Sequence, residues 1–594
     1  MQNNMNDNEK DNKILRLEKE LDRLKKNLKK QKYGLVWMDV PEAFEDDVEN
    51  KLPILKENPK LAIKNKDGKP MHILIEGDNY HALTCLNYTH KGKIDVIYID
   101  PPYNTGSDGF RYKDKRILDK FPDGTEVPKD HPYRHSYWLS FMRKRLELAR
   151  ELLKETGILF ISIDDNEFAQ LKLLCDEIFN KENKQKNKDN FIACLPTVMN
   201  LKGNNDQFGF AGTHEYTLVY SKNRDFAQIG EFKIIDEEDM DEWEEDEFGF
   251  YKKGANLKAT GNNAPREKRP NLFYPIFIRK NGEVYVREDN KMTDEGKRNG
   301  DVVVLPITGG KEMSWRWSKN KINTEAHNLI IIFNGEDSSI YKKQRPKLGD
   351  LPSKKPKSIF YKPEYSSGNG TGLLKKIFGE KVFNNPKPVE LIKDFIQLGC
   401  PNDGVILDFF AGTGTTGHAV MQLNDSDDGE RQFILCTNDE NNIMSEVCYP
   451  RIKKVIKGYA GIKGLGGSLS YYVTEFVGKN NILSVTDADK IELAHNAGEL
   501  LAIAENTFEL VKQDKYMQIF ENDDQYTAVY FREEMDKLDD FVAEVKKLKK
   551  DVSVYIFSWE DETIFDDFEG LNNIRLKTIP QPIVEIYKQI YNLI

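Results

Sequence analysis

Apolar residues first recur at alternating steps of three and four, at Ile14, Leu17, Leu21, Leu24 and Leu28, with Lys, Arg and Glu between them. This is the stripe of a short amphipathic helix in an N-terminal segment, residues 1–50. It covers only about two heptads, so a helix lying on its own domain and a dimer contact fit it equally well. From residue 72 the period changes. HILIEGD (72–78) reads as a strand, YHALTCLNYTH (80–90) as a helix and KIDVIYID (93–100) as a second strand. An amphipathic helix over 141–157 then feeds the apolar strand ILFISID (158–164). Strands apolar throughout and separated by helices indicate a parallel sheet covered on both faces.

After a further strand at HEYTLVYSK (214–222) the periodicity decays, and from about 225 to 375 glycine, asparagine, lysine and aromatics dominate. Regular alternation returns with helix PVELIKDFIQLG (388–399), strand GVILDFF (404–410), helix TTGHAVMQL (415–423) and strand FILCTND (433–439). Residues 225–375 therefore read as an insertion between a first half, 51–224, and a second half, 376–475, of one α/β sheet. The tail, 480–594, has its own pattern: strand YTAVYF (526–531), a helix over 532–550, strand VSVYIFSW (552–559) and a last helix. It is expected to form a small separate α/β domain.

Composition narrows the picture. A formal net charge of -11 argues against a protein that coats nucleic acid by charge alone, yet leaves room for one basic groove on an acidic body. The acidic run from Glu237 to Asp246 is expected to be a solvated face. The six cysteines are scattered with no two at CxxC spacing, so neither a disulfide framework nor a metal site is expected. With a polar beginning and no apolar run of membrane-spanning length, the expectation is a cytoplasmic protein without signal peptide or membrane contact.

Two stretches carry chemistry. ILDFFAGTGTTGHA (406–419) is a strand running into a glycine turn that opens a helix. Gly412 and Gly414 permit a tight turn and close approach of a ligand, and the following helix presents free N–H groups. The absence of GxxxxGK[ST] excludes a phosphate loop of that type. Gly412, Gly414 and Gly417 also satisfy GxGxxG, so a dinucleotide site is an alternative. Against it, Asp408 precedes the first glycine where a carboxylate can meet the ammonium of an amino-acid ligand. The acidic pair Asp439-Glu440 after the next strand suits ribose hydroxyls. Asp78, ending the first strand, is either a third ligand contact or the N-cap of the helix after it.

The second stretch is VIYID-PPYN. Pro101 and Pro102 stop the strand because proline cannot continue the ladder, which fixes Asp100 and Tyr103 at the sheet's carboxyl edge. An exocyclic aromatic amine is a substrate for which this pairing is suited. Its lone pair is delocalised into the ring, and hydrogen bonds accepted by the Asp100 carboxylate and the Pro101 carbonyl draw the amine toward a tetrahedral arrangement. Tyr103 then stacks on the base. Attack on an activated methyl requires chiefly proximity and alignment, effects able to contribute roughly 7 to 11 kcal/mol. Tyr216 is a second stacking candidate, or else an ordinary core aromatic.

These residues resemble the β-class amino methyltransferases, in which the catalytic motif precedes the glycine loop, and most closely the modification (Mod) subunits of type III restriction-modification systems. The resemblance rests on KYGLVW (32–37), HILIEGDNYHAL, VIYIDPPYNTG, GILFISIDDNE (157–167), HEYTLVYSK, RPNLFYPI (269–276), WRWSKNK (315–321), PKPVELI (386–392) and LDFFAGTGTTGHA, in that order. It implies a permuted Rossmann-like methyltransferase fold, S-adenosylmethionine as cofactor, and N6 of a flipped adenine in double-stranded DNA as acceptor. By the same resemblance Asp100, Pro101, Pro102 and Tyr103 are catalytic. Asp78, Lys387, Asp408, Phe410, Ala411, Gly412, Thr413, Gly414 and Thr415, with Asp439 or Glu440, hold the cofactor.

The insertion then corresponds to target recognition, with Arg269, Trp315, Arg316 and Lys319 as DNA contacts beside Tyr216. Trp315 and Trp317 fit a core role equally. A homodimer and a separate restriction subunit are implied partners. The alternatives are a stand-alone adenine or N4-cytosine methyltransferase, and an inactive specificity subunit; the latter predicts decay of motifs that are complete here.

Overall fold

The computed structural model describes residue 37 and residues 51–105, 116–121, 124–128, 131–180, 189–203, 209–234, 240–288, 300–334, 337–346, 352–480, 482–559, 568 and 571–593. The heptad stripe at 14–28 and nearly all of the 1–50 segment lie outside the described residues.

The two apolar strands read first from the sequence do not pair with each other. β1 (Leu52–Glu57), β2 (Met71–Glu76), α1 (Asn79–Thr89), β3 (Ile94–Ile99), α2 (Ser136–Leu152), β4 (Leu153–Ile163), α3 (Phe168–Phe179), β5 (Phe191–Val198) and β6 (His214–Ser221) come from the first half of the chain. The second half contributes α4 (Val389–Gly399), β7 (Val405–Asp408), α5 (Thr415–Asp427), β8 (Gln432–Thr437), α6 (Tyr449–Lys457) and β9 (Ser468–Val477). All nine strands form one sheet in the order β1-β9-β2-β8-β7-β3-β4-β6-β5. The run β9-β2-β8-β7-β3-β4 is parallel; β1, and β6 against β4, are antiparallel. Strands from the second half thus separate β2 from β3, and the carboxyl ends of β2, β3, β7 and β8 converge on one edge, the place where open α/β sheets collect ligands.

Every residue of β3 is buried, as a strand covered on both faces requires. Helix α2 ends earlier than its apolar pattern suggests, because Leu153 already pairs with Ile94 of β3. Gly157, on the same strand, lies so close to Ile94 that an added Cβ would sit 3.0 Å from its carbonyl oxygen. β1, β5 and β9 were not legible in the sequence pattern; all three lie at or next to the sheet's edges.

The turn after β2 depends on Gly77, at φ 152°, where an added Cβ would lie 1.8 Å from Thr474 Oγ1 of β9. Gly77→Ala is expected to cost roughly 1 to 3 kcal/mol as an overpacked site, read as a lower denaturation midpoint with unchanged slope.

The tail forms a five-stranded sheet, β10 (Glu509–Gln513), β11 (Met517–Glu521), β12 (Gln525–Tyr530), β13 (Asp551–Ser558) and β14 (Ile574–Pro580). Helix α7 (Leu538–Val545) is shorter than the 532–550 read from the sequence, and Arg532 pairs with Glu534 in the segment before it. The last helix, α8 (Gln581–Leu593), shares the core of the main sheet: Ile583, Val584, Tyr587 and Ile590 join its hydrophobic cluster, and the Tyr587 hydroxyl donates to Pro53 O at 2.9 Å. The described residues within 1–229 and 357–594 accordingly form one compact unit.

Residues 230–356 form the second unit. It holds a four-stranded antiparallel sheet in the order Leu329–Asn334, Asp337–Gln344, Gly249–Asn256, Trp243–Asp246, and a three-stranded one around Ile276–Ile278. The acidic run is not a solvated face throughout. Trp243 is buried, and Asp246 accepts from Arg345 at 2.8 Å and pairs with Lys343; these hydrogen bonds hold its carboxyl well below the usual range. Trp315 is fully buried in this unit's core, its indole N–H donating to Tyr274 O at 2.7 Å, which removes it from the candidate DNA contacts. Arg269 and Arg316 are exposed, Arg316 donating to Asn256 O and Thr260 Oγ1, while the half-buried Lys319 donates to the carbonyls of Arg287 and Glu288.

Candidate active site

Parallel strands deliver their terminal residues to a common edge, and there an open cleft is lined by residues following β2, β3, β7 and β8. Asp78, Asp100, Pro102, Lys387, Asp408, Phe410, Ala411, Gly412, Thr413, Thr415 and Glu440 all line it. The two motifs, some 300 residues apart, share one cavity.

On the β3 side, Pro101 and Pro102 are buried and the Pro102 carbonyl accepts from Nε1–H of the fully buried Trp138 on α2 at 2.7 Å. Asn104, at φ 60°, reverses the chain and donates to Glu167 at 2.6 Å. Between these anchors the Tyr103 hydroxyl donates to Asp100 Oδ1 at 2.7 Å and lies 3.2 Å from Glu215 Oε2. Lys387 completes the cluster. Its ammonium stands 3.1 Å from Asp100 Oδ1, 2.7 Å from Tyr103 Oη and 2.9 Å from Glu215 Oε1. Lys387, expected only beside a cofactor, is thus the counter-ion of the Asp-Pro-Pro-Tyr turn. Burial pushes Glu215 above the usual carboxylate range against the pull of Lys387, with the Asp100 charge adding to the rise.

Glu215 was missed by sequence reasoning, which singled out its neighbour. Because side chains alternate along a strand, Tyr216 points to the opposite face of β6 from Glu215. Its ring packs on Phe168 at 4.4 Å and His214 at 5.2 Å, away from Tyr103. The available signal was the one carboxylate of the strand HEYTLVYS, placed second, just ahead of its buried residues.

On the β7 side, Asp408 is buried; its oxygens accept from Phe410 N at 3.0 Å and Thr416 Oγ1 at 2.6 Å. Burial nonetheless pushes it up to about 7, the two hydrogen bonds opposing the rise. Gly412 (φ 47°) and Gly414 (φ 73°) take the left-handed conformation that the turn into α5 demands. Gly417 serves packing instead: an added Cβ would meet Ile452 at 2.8 Å and Leu435 at 3.0 Å. A second residue missed in the sequence, Arg451 of α6, is fully buried and donates to Thr413 Oγ1 at 3.0 Å and Thr415 Oγ1 at 2.8 Å, fastening the loop from beneath.

Of the two roles left open for Asp78, the structure shows the cap: it accepts from Tyr80 N at 2.7 Å at the start of α1. It also pairs with Arg145 at 3.3 Å and lines the cleft. Asn79 ties the two halves together by donating to Phe409 O at 2.9 Å. After β8 the acidic pair divides: Asp439 accepts from Met444 N and Ser445 N at 3.0 and 2.9 Å as a helix cap, whereas Glu440 faces the cleft. The left-handed Asn441 and Asn442 turn the chain immediately after it.

Residues 94–447 match the family model described as DNA methylase. The type III restriction-modification enzyme EcoPI Mod subunit of Escherichia phage P1 is 45% identical over 429 residues, covering 70% of this chain and 64% of that one. The type II methyltransferase M.KpnI of Klebsiella pneumoniae is 34% identical over 379 residues, 63% of this chain and 82% of that one. The type III enzyme StyLTI Mod subunit of Salmonella typhimurium is 33% identical over 431 residues, 70% and 59% respectively. The chain spans less than two thirds of the length of these two type III subunits.

Proposed function

The chain belongs to the DNA methylase family, and from that membership we propose that it transfers a methyl group from S-adenosylmethionine to N6 of an adenine flipped out of double-stranded DNA. The observation that carries this reading is the cleft that Asp100 and Pro102 of the turn share with the loop from Asp408 to Thr415.

The cleft's donor set fits the cofactor. Asp408 is a buried carboxylate whose hydrogen-bond partners are neutral, at the position where an ammonium would find its counter-charge. Glu440 suits ribose hydroxyls in preference to Asp439, because it lines the cleft and Asp439 does not. Phe410 and Ile443 give the cleft apolar surface, and Asp78 stands at its β2 end. When bound, the cofactor supplies an electrophilic methyl on a sulfonium.

The chain's residues do the rest. Asp100 and the Pro101 carbonyl accept the two amine hydrogens, and Trp138 keeps the turn rigid through Pro102. Tyr103 stacks on the base, repaying part of the few kcal/mol that unstacking costs. Asp100 as the first residue of the turn favours adenine over N4 of cytosine. The second unit, within the expected 225–375 insertion, is the proposed target reader, with Arg269, Arg316 and Lys319 as its candidate contacts. A separate restriction subunit and a homodimer are the proposed partners, on the strength of the type III relatives. A reducing, cytoplasmic setting accords with this role; among the described residues no helix is long and apolar enough to cross a membrane.

Calorimetry with S-adenosylmethionine, followed by transfer of a labelled methyl group to unmethylated genomic DNA, tests the assignment. Tyr103→Ala is expected to bind the cofactor within about threefold of wild type while losing roughly tenfold or more in transfer, since base stacking is worth about 1 to 3 kcal/mol. Near-normal turnover of that variant would remove Tyr103 from the stacking role.

A further inference from the structure

Methylating an aromatic amine leaves a proton to be removed. The amine nitrogen gives its lone pair to the methyl carbon, becomes cationic with both hydrogens still attached, and must release one of them before the product is neutral. The cluster around Tyr103 has the charge and connectivity to receive it.

Two carboxylates, Asp100 and Glu215, flank the one ammonium of Lys387 at 3.1 and 2.9 Å. With both ionised, the cluster carries one negative charge more than positive. Accepting one proton brings it to neutrality, the favoured condition of a buried group. Asp100 lies in the cleft, whereas the Glu215 side chain is only 12% exposed, so Glu215 does not meet the base directly. What joins them is a single hydroxyl: Tyr103 Oη lies 2.7 Å from Asp100 Oδ1 and 3.2 Å from Glu215 Oε2, while Lys387 donates to the same oxygen at 2.7 Å.

Resting on the reading of the chain as an adenine methyltransferase, we propose that Asp100, Tyr103 and Glu215 form a proton relay that clears the methylated amine, with Glu215 as its terminal acceptor. The N–H bond of the cationic amine breaks as an O–H bond forms on Asp100, and the electron pair returns to nitrogen. Once Asp100 is protonated, the Tyr103 hydroxyl turns its hydrogen from Asp100 Oδ1 to Glu215 Oε2; Asp100 then passes its proton to Tyr103 Oη while the hydroxyl's own proton moves to Glu215 Oε2. One proton leaves the base and one arrives on Glu215, which yields it to water when the cleft opens to release product. Lys387 holds the three oxygens in register and keeps the resting cluster from accumulating two uncompensated charges. Glu215 acts through Tyr103, so it is a positioning and accepting residue outside substrate contact.

Tyr103→Phe cuts the relay while keeping the ring for stacking and the Lys387 ion pairs for folding. Glu215→Gln removes the acceptor. The assay is single-turnover transfer of labelled methyl from S-adenosylmethionine to unmethylated genomic DNA by the full chain, from pH 5.5 to 8.5, with cofactor affinity measured separately by calorimetry. Asp100 and Tyr103 from the loop after β3, Tyr98 of β3 and Lys387 ahead of α4 are the titratable groups around Glu215. Burial raises Glu215 against the pull of Lys387, and a protonated Glu215 cannot accept, so the wild-type rate is expected to fall on the acid side as Glu215 takes up its proton.

Each variant is expected to lose roughly ten- to a hundredfold in transfer rate, at the low end of what positioned acid-base groups supply. Cofactor affinity should change less than twofold, and the double variant should be no slower than the worse single one. In Glu215→Gln the acid limb should be lost, because the group whose protonation produces it is gone. A rate loss with an unmoved acid limb would mark Glu215 as merely structural and overturn the relay, as would wild-type turnover by Tyr103→Phe. If the wild-type chain itself transfers no methyl group, it is the underlying assignment that fails.

Discussion

Replacing Asp100 by alanine is expected to reduce methyl transfer by roughly two to three orders of magnitude, the scale seen when one preorganised polar contact to a developing charge is removed. The amine hydrogens lose their charged acceptor, and the nitrogen lone pair stays conjugated with the ring. Two features make the loss specific. Lys387 keeps Glu215 as a partner at 2.9 Å, so the variant does not strand a buried ammonium. The turn itself is held by Trp138 on the Pro102 carbonyl and by Asn104 on Glu167, contacts that do not involve Asp100. Cofactor affinity within about threefold of wild type and an unchanged thermal midpoint, together with the lost transfer, are the results that check this; a variant that unfolds or stops binding cofactor would assign Asp100 a different role.

The second large effect concerns pH. Asp408 sits at about 7 in the free protein because burial outweighs its two hydrogen bonds. An ammonium-bearing ligand binds the ionised form, so the bound group is depressed relative to the free one. Affinity is therefore full above pH 7 and is lost as pH falls through that value. From pH 7.5 to 6.0 the dissociation constant of S-adenosylmethionine is expected to rise about eightfold by proton linkage. Asp408→Asn should bind roughly ten- to a hundredfold more weakly at pH 7.5, the scale of one charge-assisted hydrogen bond, and show no such slope. Methylthioadenosine, which lacks the amino-acid end, should bind with a flat profile to both proteins; a slope that persists in Asp408→Asn would place the titrating group elsewhere.

The order of legibility along the chain follows the range of the physics involved. The proline-terminated strand at Ile94–Ile99 and the glycine turn before Thr415 are local features: fixed φ, missing Cβ and continuous apolar runs leave marks within a few residues. Glu215, Trp138, Arg145 and Arg451 left no such mark. Each acts through a contact formed only when the sheet assembles, as with Tyr103 and Glu215, 112 positions apart, or Lys387 and Tyr103, 284 apart.

Trp315 misled for the same reason. An aromatic among basic residues reads alike whether its ring faces DNA or a core, and the hydrogen bond to Tyr274 O decides for the core. The Asp439-Glu440 pair is alike in composition and differs only in placement, which backbone geometry sets: Asp439 accepts from Ser445 N, and Glu440, followed by the left-handed Asn441 and Asn442, lines the cleft. The tail's pattern gave two of its five strands, but neither the other three nor its attachment, in which Tyr587 reaches Pro53 across 534 positions.

Sequencing that reads base modifications directly, applied to DNA from a host without adenine methylation that expresses this chain, tests the central claim most squarely. The account predicts N6-methyladenine confined to one sequence context, absent when the Asp100→Ala variant is expressed at the same level. Unmodified DNA, or N4-methylcytosine in place of methyladenine, would contradict it.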